Sequence, residues 1–120
     1  MRFIMEWGYD LREGAAQDYQ RWLADNEAEI AESCPEGVEY LGTYAAIYSD
    51  QREAGGYRTM WQLDSYGAQD RFAEEMAGET RLAALLQEGT TFGDFSTGAR
   101  GSQQLLKAVV DTTIWEPTTD

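Results

Sequence analysis

Side chains of unlike character alternate one by one through two stretches of the chain, and elsewhere apolar residues recur every three or four positions. The clearest alternation runs from Tyr57 to Asp64, where Tyr57, Thr59, Trp61 and Leu63 point one way and Arg58, Met60, Gln62 and Asp64 the other. Asp64 and Ser65 follow with side-chain oxygens that can accept from the free N–H groups of a helix, so this strand is expected to lead straight into one. Arg2 to Tyr9 alternates in the same way, with Phe3, Met5, Trp7 and Tyr9 on one side and Arg2, Ile4, Glu6 and Gly8 on the other. Val38 to Tyr48 places Val38, Tyr40, Tyr44 and Tyr48 on one face and Leu41, Thr43, Ala45 and Ile47 on the opposite one, with Gly42 a candidate bulge. A last strand is expected from about Gln103 to Trp115.

From Ala15 to about Ser33, the residues Ala15, Tyr19, Trp22, Leu23 and Ile30 form one stripe, predicting a helix packed by a single face. Asn26 lies in register with that stripe, and its amide must find a partner in the protein or in a ligand. Cys34-Pro35-Glu36-Gly37 reads as a turn, and Ser49 to Gly56 as the polar connection of an antiparallel pair. After Ser65, Ala68, Phe72 and Met76 space as a second helix, with Tyr66 near its entrance and Gly78 interrupting it. A further turn or two runs through Leu82, Leu85 and Leu86 and closes near Gly89. Gly89 to Ser102 reads as a plain connection, a segment packed on a partner subunit through Phe92 and Phe95, or an active-site lid.

The order strand, helix, strand, strand, helix, strand is the split βαβ pattern of a ferredoxin-like α+β fold: a four-stranded antiparallel sheet with both helices on one side. A single domain over 1–116 with a tail at 117–120 is expected. The other sheet face would then carry Leu41, Ala45, Ile47, Met60, Leu106, Ala108, Val110 and Ile114, mixed with Arg58, Gln62 and Glu6. A patch of that size is unusual on a monomer, and pairing two such faces about a two-fold axis predicts a homodimer.

Composition narrows the function classes more than it selects one. Twenty-two acids against nine bases give a net charge of -13, which argues against a nucleic-acid partner. The expected location is cytoplasmic and off the membrane, since no run approaches the ~18 apolar residues of a membrane span and Glu6 falls where a signal peptide needs its apolar run. Cys34 is the sole cysteine and there is no histidine, so neither an internal disulfide nor a zinc site of the usual donors can be built. Cys34 is expected to behave as a small, half-buried hydrophobe. No phosphate loop, dinucleotide fingerprint or histidine-based triad is present, and no bound cofactor or metal is expected.

Over roughly residues 1 to 115 the chain resembles the dimeric α+β barrel superfamily, and within it the antibiotic-biosynthesis-monooxygenase-like domains. The pieces that carry the resemblance are the opening Met1-Arg2-Phe3-Ile4 strand, the Arg12-Glu13-Gly14 helix entry, the Pro35-Glu36-Gly37 turn, and Trp61 followed by Asp64 and a helix bearing Phe72. The resemblance implies a two-subunit barrel with a ligand pocket in each subunit between the sheet and its own helices. It also implies activities such as cofactor-free oxidation of quinol-like or polyketide aromatics, or oxidative haem breakdown. The haem-degrading branch uses an Asn on the first strand, a Trp on the third and a His on the second helix. Trp61 matches its Trp, but Trp7 stands at the Asn position and the chain has no histidine, so that branch is rejected. In the quinol-oxidising branch an Asn often precedes the Trp by four residues, where this chain has Tyr57.

The candidate ligand-binding set is therefore Trp7, Tyr9, Trp22, Asn26, Tyr57, Trp61 and Tyr66, offering stacking surfaces with phenol, indole and amide groups at their edges. The same alternation also fits aromatics that simply fill the core between sheet and helices. Cofactor-free oxygen chemistry needs a deprotonated, electron-rich substrate, and without histidine the possible bases are Glu6, Asp64, Asp111 and the tyrosines. The sequence thus leaves two readings: a cofactor-independent monooxygenase acting on a small aromatic or polyketide-like molecule, or a non-catalytic dimeric module that binds a small hydrophobic ligand or serves only as structure.

Overall fold

The computed structural model describes residues 2–51, 54–94 and 102–110. Its elements are β1 (Phe3–Leu11), α1 (Ala16–Glu32), β2 (Val38–Ala45), β3 (Tyr57–Leu63), α2 (Ala68–Ala77), α3 (Arg81–Thr90), β4 (Gly93–Asp94) and β5 (Ser102–Lys107). Every strand pairing is antiparallel, and β1 lies in the middle. β3 lines one edge of β1, with β2 outside it, while β5 and the two-residue β4 share the opposite side. The ferredoxin-like α+β fold expected from the alternation is therefore the fold observed. No helix among the described residues is long and apolar enough to cross a membrane.

The helices cover one sheet face because the period-two pattern gives them an apolar one. Phe3 and Met5 from β1 and Trp61 and Leu63 from β3 are buried against Ile30 of α1, Ala68 and Phe72 of α2, and Leu82 and Leu85 of α3. The opposite face keeps Glu6 and Arg58 as an ion pair at 3.5 Å, to which Gln104 adds an N–H donated to Glu6 at 3.1 Å.

Several details differ from the sequence pattern. In β2 the partner register skips from Tyr40 to Gly42, with Gly42 at φ 139°. This is the suspected bulge, and the extra residue reverses the alternation after it. Thr43 and Ala45 therefore pair with Thr59 and Tyr57 on the helix side, whereas Tyr44 turns to the open face opposite Arg58, the reverse of the predicted assignment. The strand also stops at Ala45, short of Tyr48.

Asp64 and Ser65 do not cap α2 directly. Asp64 pairs with Arg71 at 3.3 Å, and the Ser65 hydroxyl accepts from the Ala68 N–H at 3.2 Å in a turn that delays the helix to Ala68. The apolar turns after Gly78 form a separate ten-residue helix, because Thr80 accepts from the Ala83 N–H at 3.1 Å and so starts α3 anew. Within the Gly89–Ser102 segment, Gly93 and Asp94 add a short strand against Asp10 and Leu11. The last strand ends at Lys107; the expected continuation to Trp115 and the patch residue Ile114 lie partly or wholly outside the described residues.

Candidate functional site

Between the helix-covered sheet face and the helices lies a cavity of about 670 Å³. Trp7 and Tyr9 of β1 and Thr59 of β3 enter it because they share the inward register, and the bulge sends Thr43 to join them. Tyr19, Trp22 and Leu23 come from α1, Ala83 and Leu86 from α3, and Met76 from the end of α2. Gly89 stands at the rim: a Cβ there would lie 3.0 Å from the Trp22 ring, so any larger residue would push the indole back by a few tenths of an ångström. Trp22 then donates its indole N–H to Glu88 at 2.8 Å and lies flat on Tyr19, with planes 10° apart. The Arg12 side chain holds the end of α3 by donating to the Thr91 carbonyl at 2.9 Å.

One wall carries a file of hydroxyl groups. The Tyr19 and Tyr9 hydroxyls are 2.6 Å apart, Tyr9 reaches Thr59 at 2.9 Å, and Thr59 reaches Thr43 at 3.1 Å. Thr43 meets the Tyr40 hydroxyl at 2.7 Å, and Tyr40 donates to the Glu27 carboxylate at 2.8 Å. All are hydrogen-bond distances. Burial pushes the Tyr9, Tyr19 and Tyr40 phenols above their ordinary range, and for Tyr40 the bond given to Glu27 adds to the shift. These groups are consequently neutral hydroxyls and serve as donors and acceptors rather than bases.

The sequence-predicted residues divide into those in the cavity, those behind it and one, Tyr66, away from it at the surface. Trp7, Tyr9 and Trp22 line it. Trp61 is fully buried beneath the wall, its ring 5.1 Å from Trp7, 4.7 Å from Phe72 and 5.2 Å from Tyr40. Tyr57 backs Tyr9 with near-parallel rings 6.1 Å apart, and Asn26 donates to the Trp22 carbonyl of its own helix at 2.7 Å. Tyr66 is 68% exposed at the entrance to α2, beside Phe3.

Among the candidate bases, Glu6 sits on the other sheet face with Arg58, Asp64 pairs with Arg71 at the surface, and Asp111 lies outside the described residues. Cys34 is half-buried, with its thiol against the Ile30 carbonyl and its pKa raised by burial. Tyr19, Tyr40, Thr43 and Thr59 complete the polar wall but were not singled out as site residues. The signal for Tyr19 was its place on the stripe of α1, and for Thr59 its place on the inward face of β3; Thr43 was hidden by the bulge.

No family model and no curated protein matches the sequence. Solved structures do match. A NIPSNAP family protein from Agrobacterium tumefaciens superposes with a TM-score of 0.66 at 14% identity, over 92% of this chain and 89% of that one. A NIPSNAP-like domain protein from Burkholderia xenovorans gives 0.64 at 12% identity, over 97% and 92% of the two chains. A variant of MhuD, solved with two manganese protoporphyrin IX molecules per active site, gives 0.53 at 16% identity over 94% and 99%. The chain thus shares the ferredoxin-like α+β fold of these structures, and at these identities the likeness is one of fold.

Proposed function

We propose that the chain binds a small, flat, largely apolar molecule of aromatic or polyketide-like character in the cavity between its sheet and helices. The observation that carries this reading is the cavity itself: about 670 Å³, walled by Trp7, Tyr9, Tyr19 and Trp22, with polar groups gathered on one side. Known small-molecule pockets span ~300–1,000 Å³ and combine aromatic walls with a few placed polar groups. The MhuD variant holds flat macrocycles in its active site, but for this chain the case rests on its own walls. Calorimetric titration with β-naphthol tests the reading. It should show saturable binding of one ligand per chain, with a dissociation constant of about 0.1 mM or tighter for a ligand of this size. Heats no different from dilution would contradict it.

A second reading, cofactor-independent monooxygenation of such a ligand, is favoured by the hydroxyl file that leads from Tyr19 to Glu27. In that chemistry one oxygen atom of O₂ replaces two hydrogens on a ring carbon and the other leaves as water. The substrate must first lose a proton, and the file offers that proton a way out. Oxygen uptake on adding an anthrone to metal-free protein, above the rate in buffer alone, is the expected result for an oxygenase; uptake at the buffer rate leaves the binding reading in place alone.

Self-association through the open sheet face belongs to the same proposal. Leu106, 49% exposed, lies there with Leu41 and Tyr44, beside the Glu6–Arg58 pair. Sedimentation at micromolar concentration should give a dimer, and Leu106→Asp should weaken it about tenfold or more by placing a charge in an apolar contact. A monomeric native protein would contradict the pairing.

A further inference from the structure

The hydroxyl file has a direction that its chemistry imposes. It contains five hydroxyl groups, Tyr19, Tyr9, Thr59, Thr43 and Tyr40, joined to each other and to Glu27 by five oxygen-to-oxygen contacts. Each hydroxyl has one hydrogen to give, and a carboxylate can only accept. The contact at Glu27 can be filled only by Tyr40, so the Tyr40 oxygen must receive from Thr43, Thr43 from Thr59, Thr59 from Tyr9, and Tyr9 from Tyr19. All five hydrogens point toward Glu27. The Tyr19 oxygen, at the far end, is left with lone pairs and no donor within the file.

All five hydroxyl residues line the cavity, while Glu27 stands outside it on α1. We propose that Glu27 fixes the polarity of this file and thereby makes the cavity select ligands that present a hydrogen-bond donor, a phenolic or enolic O–H, to Tyr19. Glu27 acts here as a positioning residue, remote from the ligand and felt only through the file. A ligand of the same shape with an ether or carbonyl at that point would set two acceptors against each other. This inference rests on the binding reading above and adds to it the polar requirement on the ligand.

The test compares β-naphthol with its methyl ether by calorimetry in the native protein, in Glu27→Gln and in Tyr40→Phe. One added hydrogen bond gives an expected preference for the naphthol of about five- to tenfold in the native protein. A glutamine amide can accept through its oxygen or donate through its nitrogen, so Glu27→Gln releases the direction of the file and the preference should fall toward one. Tyr40→Phe cuts the file short of Glu27 and should do the same, and it serves alone where the glutamine variant does not fold. Because the methyl group is equally bulky in every variant, the change in the ratio reads the polarity and not the fit. Equal affinities in the native protein, or a preference that survives both substitutions, would overturn the proposal while leaving the binding reading intact. Failure of both ligands to bind the native protein would remove the two together.

Discussion

Replacing Trp61 by alanine should lower the free energy of unfolding by about 3–5 kcal/mol, the range found for emptying a large buried aromatic site. Trp61 has no exposed surface and touches rings from three other elements: Trp7 of β1, Phe72 of α2 and Tyr40 of β2. Its loss would leave a void at the point where sheet and helices join. Trp61→Phe should cost clearly less. It keeps most of the ring contacts, and it removes an indole N–H that is buried without a partner among the described residues, a group whose burial itself costs about 1–3 kcal/mol. Urea unfolding of the two variants checks both statements. A loss below about 1 kcal/mol for the alanine variant would mean that Trp61 is not the keystone its contacts imply. Since Trp61 supports the wall without lining the cavity, Trp61→Phe should also bind β-naphthol nearly as well as the native protein.

The strand that holds Trp61 was the most legible part of the sequence, because its alternation is unbroken and both faces are used. The strand runs from Tyr57 to Leu63, one residue short of the alternation; Thr59, Trp61 and Leu63 of its inward set are buried, and Arg58 of the outward set is buried beside Glu6. The element order and the helix-covered face of the sheet could be read for the same reason: burial on one side imposes a period that composition alone does not. What could not be read were events that shift register by a single residue or turn on a single hydroxyl. The bulge between Tyr40 and Gly42 exchanged the roles of Thr43 and Tyr44, and with them a wall residue of the cavity. The turns through Leu82, Leu85 and Leu86, which read as the rest of a helix interrupted at Gly78, are a separate helix started by the Thr80 hydroxyl.

The candidate site was legible as a cluster of aromatics on one sheet face, but not as a division between lining and support. Trp7 and Trp61 lie on the same inward face of neighbouring strands, Trp7 opposite Thr59 and Trp61 opposite Met5. Phe72 packs on both indoles, and Tyr40 on Trp61 alone, so that Trp7 meets the cavity and Trp61 does not. That choice is made by helix packing at long sequence separation, which no local pattern records. The hydroxyl file has the same origin, since its members come from β1, α1, β2 and β3.

The second large effect concerns the cavity. Ala83 of α3 lines it, and its role in the Thr80 cap is made through the backbone N–H, which any residue but proline keeps. Ala83→Trp should therefore preserve the start of α3 while placing an indole in the space facing Trp7, Tyr9 and Trp22. The open volume of about 670 Å³ beside Ala83 leaves room for such a group, whereas a ligand of similar size must compete with it for the same space.

The most direct measurement is a calorimetric titration of β-naphthol into native protein and into Ala83→Trp, with urea unfolding of both as the control for folding. The account predicts saturable binding to the native chain, at least about tenfold weaker binding to the variant, and unfolding midpoints close to one another. Equal affinity in the two folded proteins would place the ligand elsewhere and contradict the assignment of this cavity.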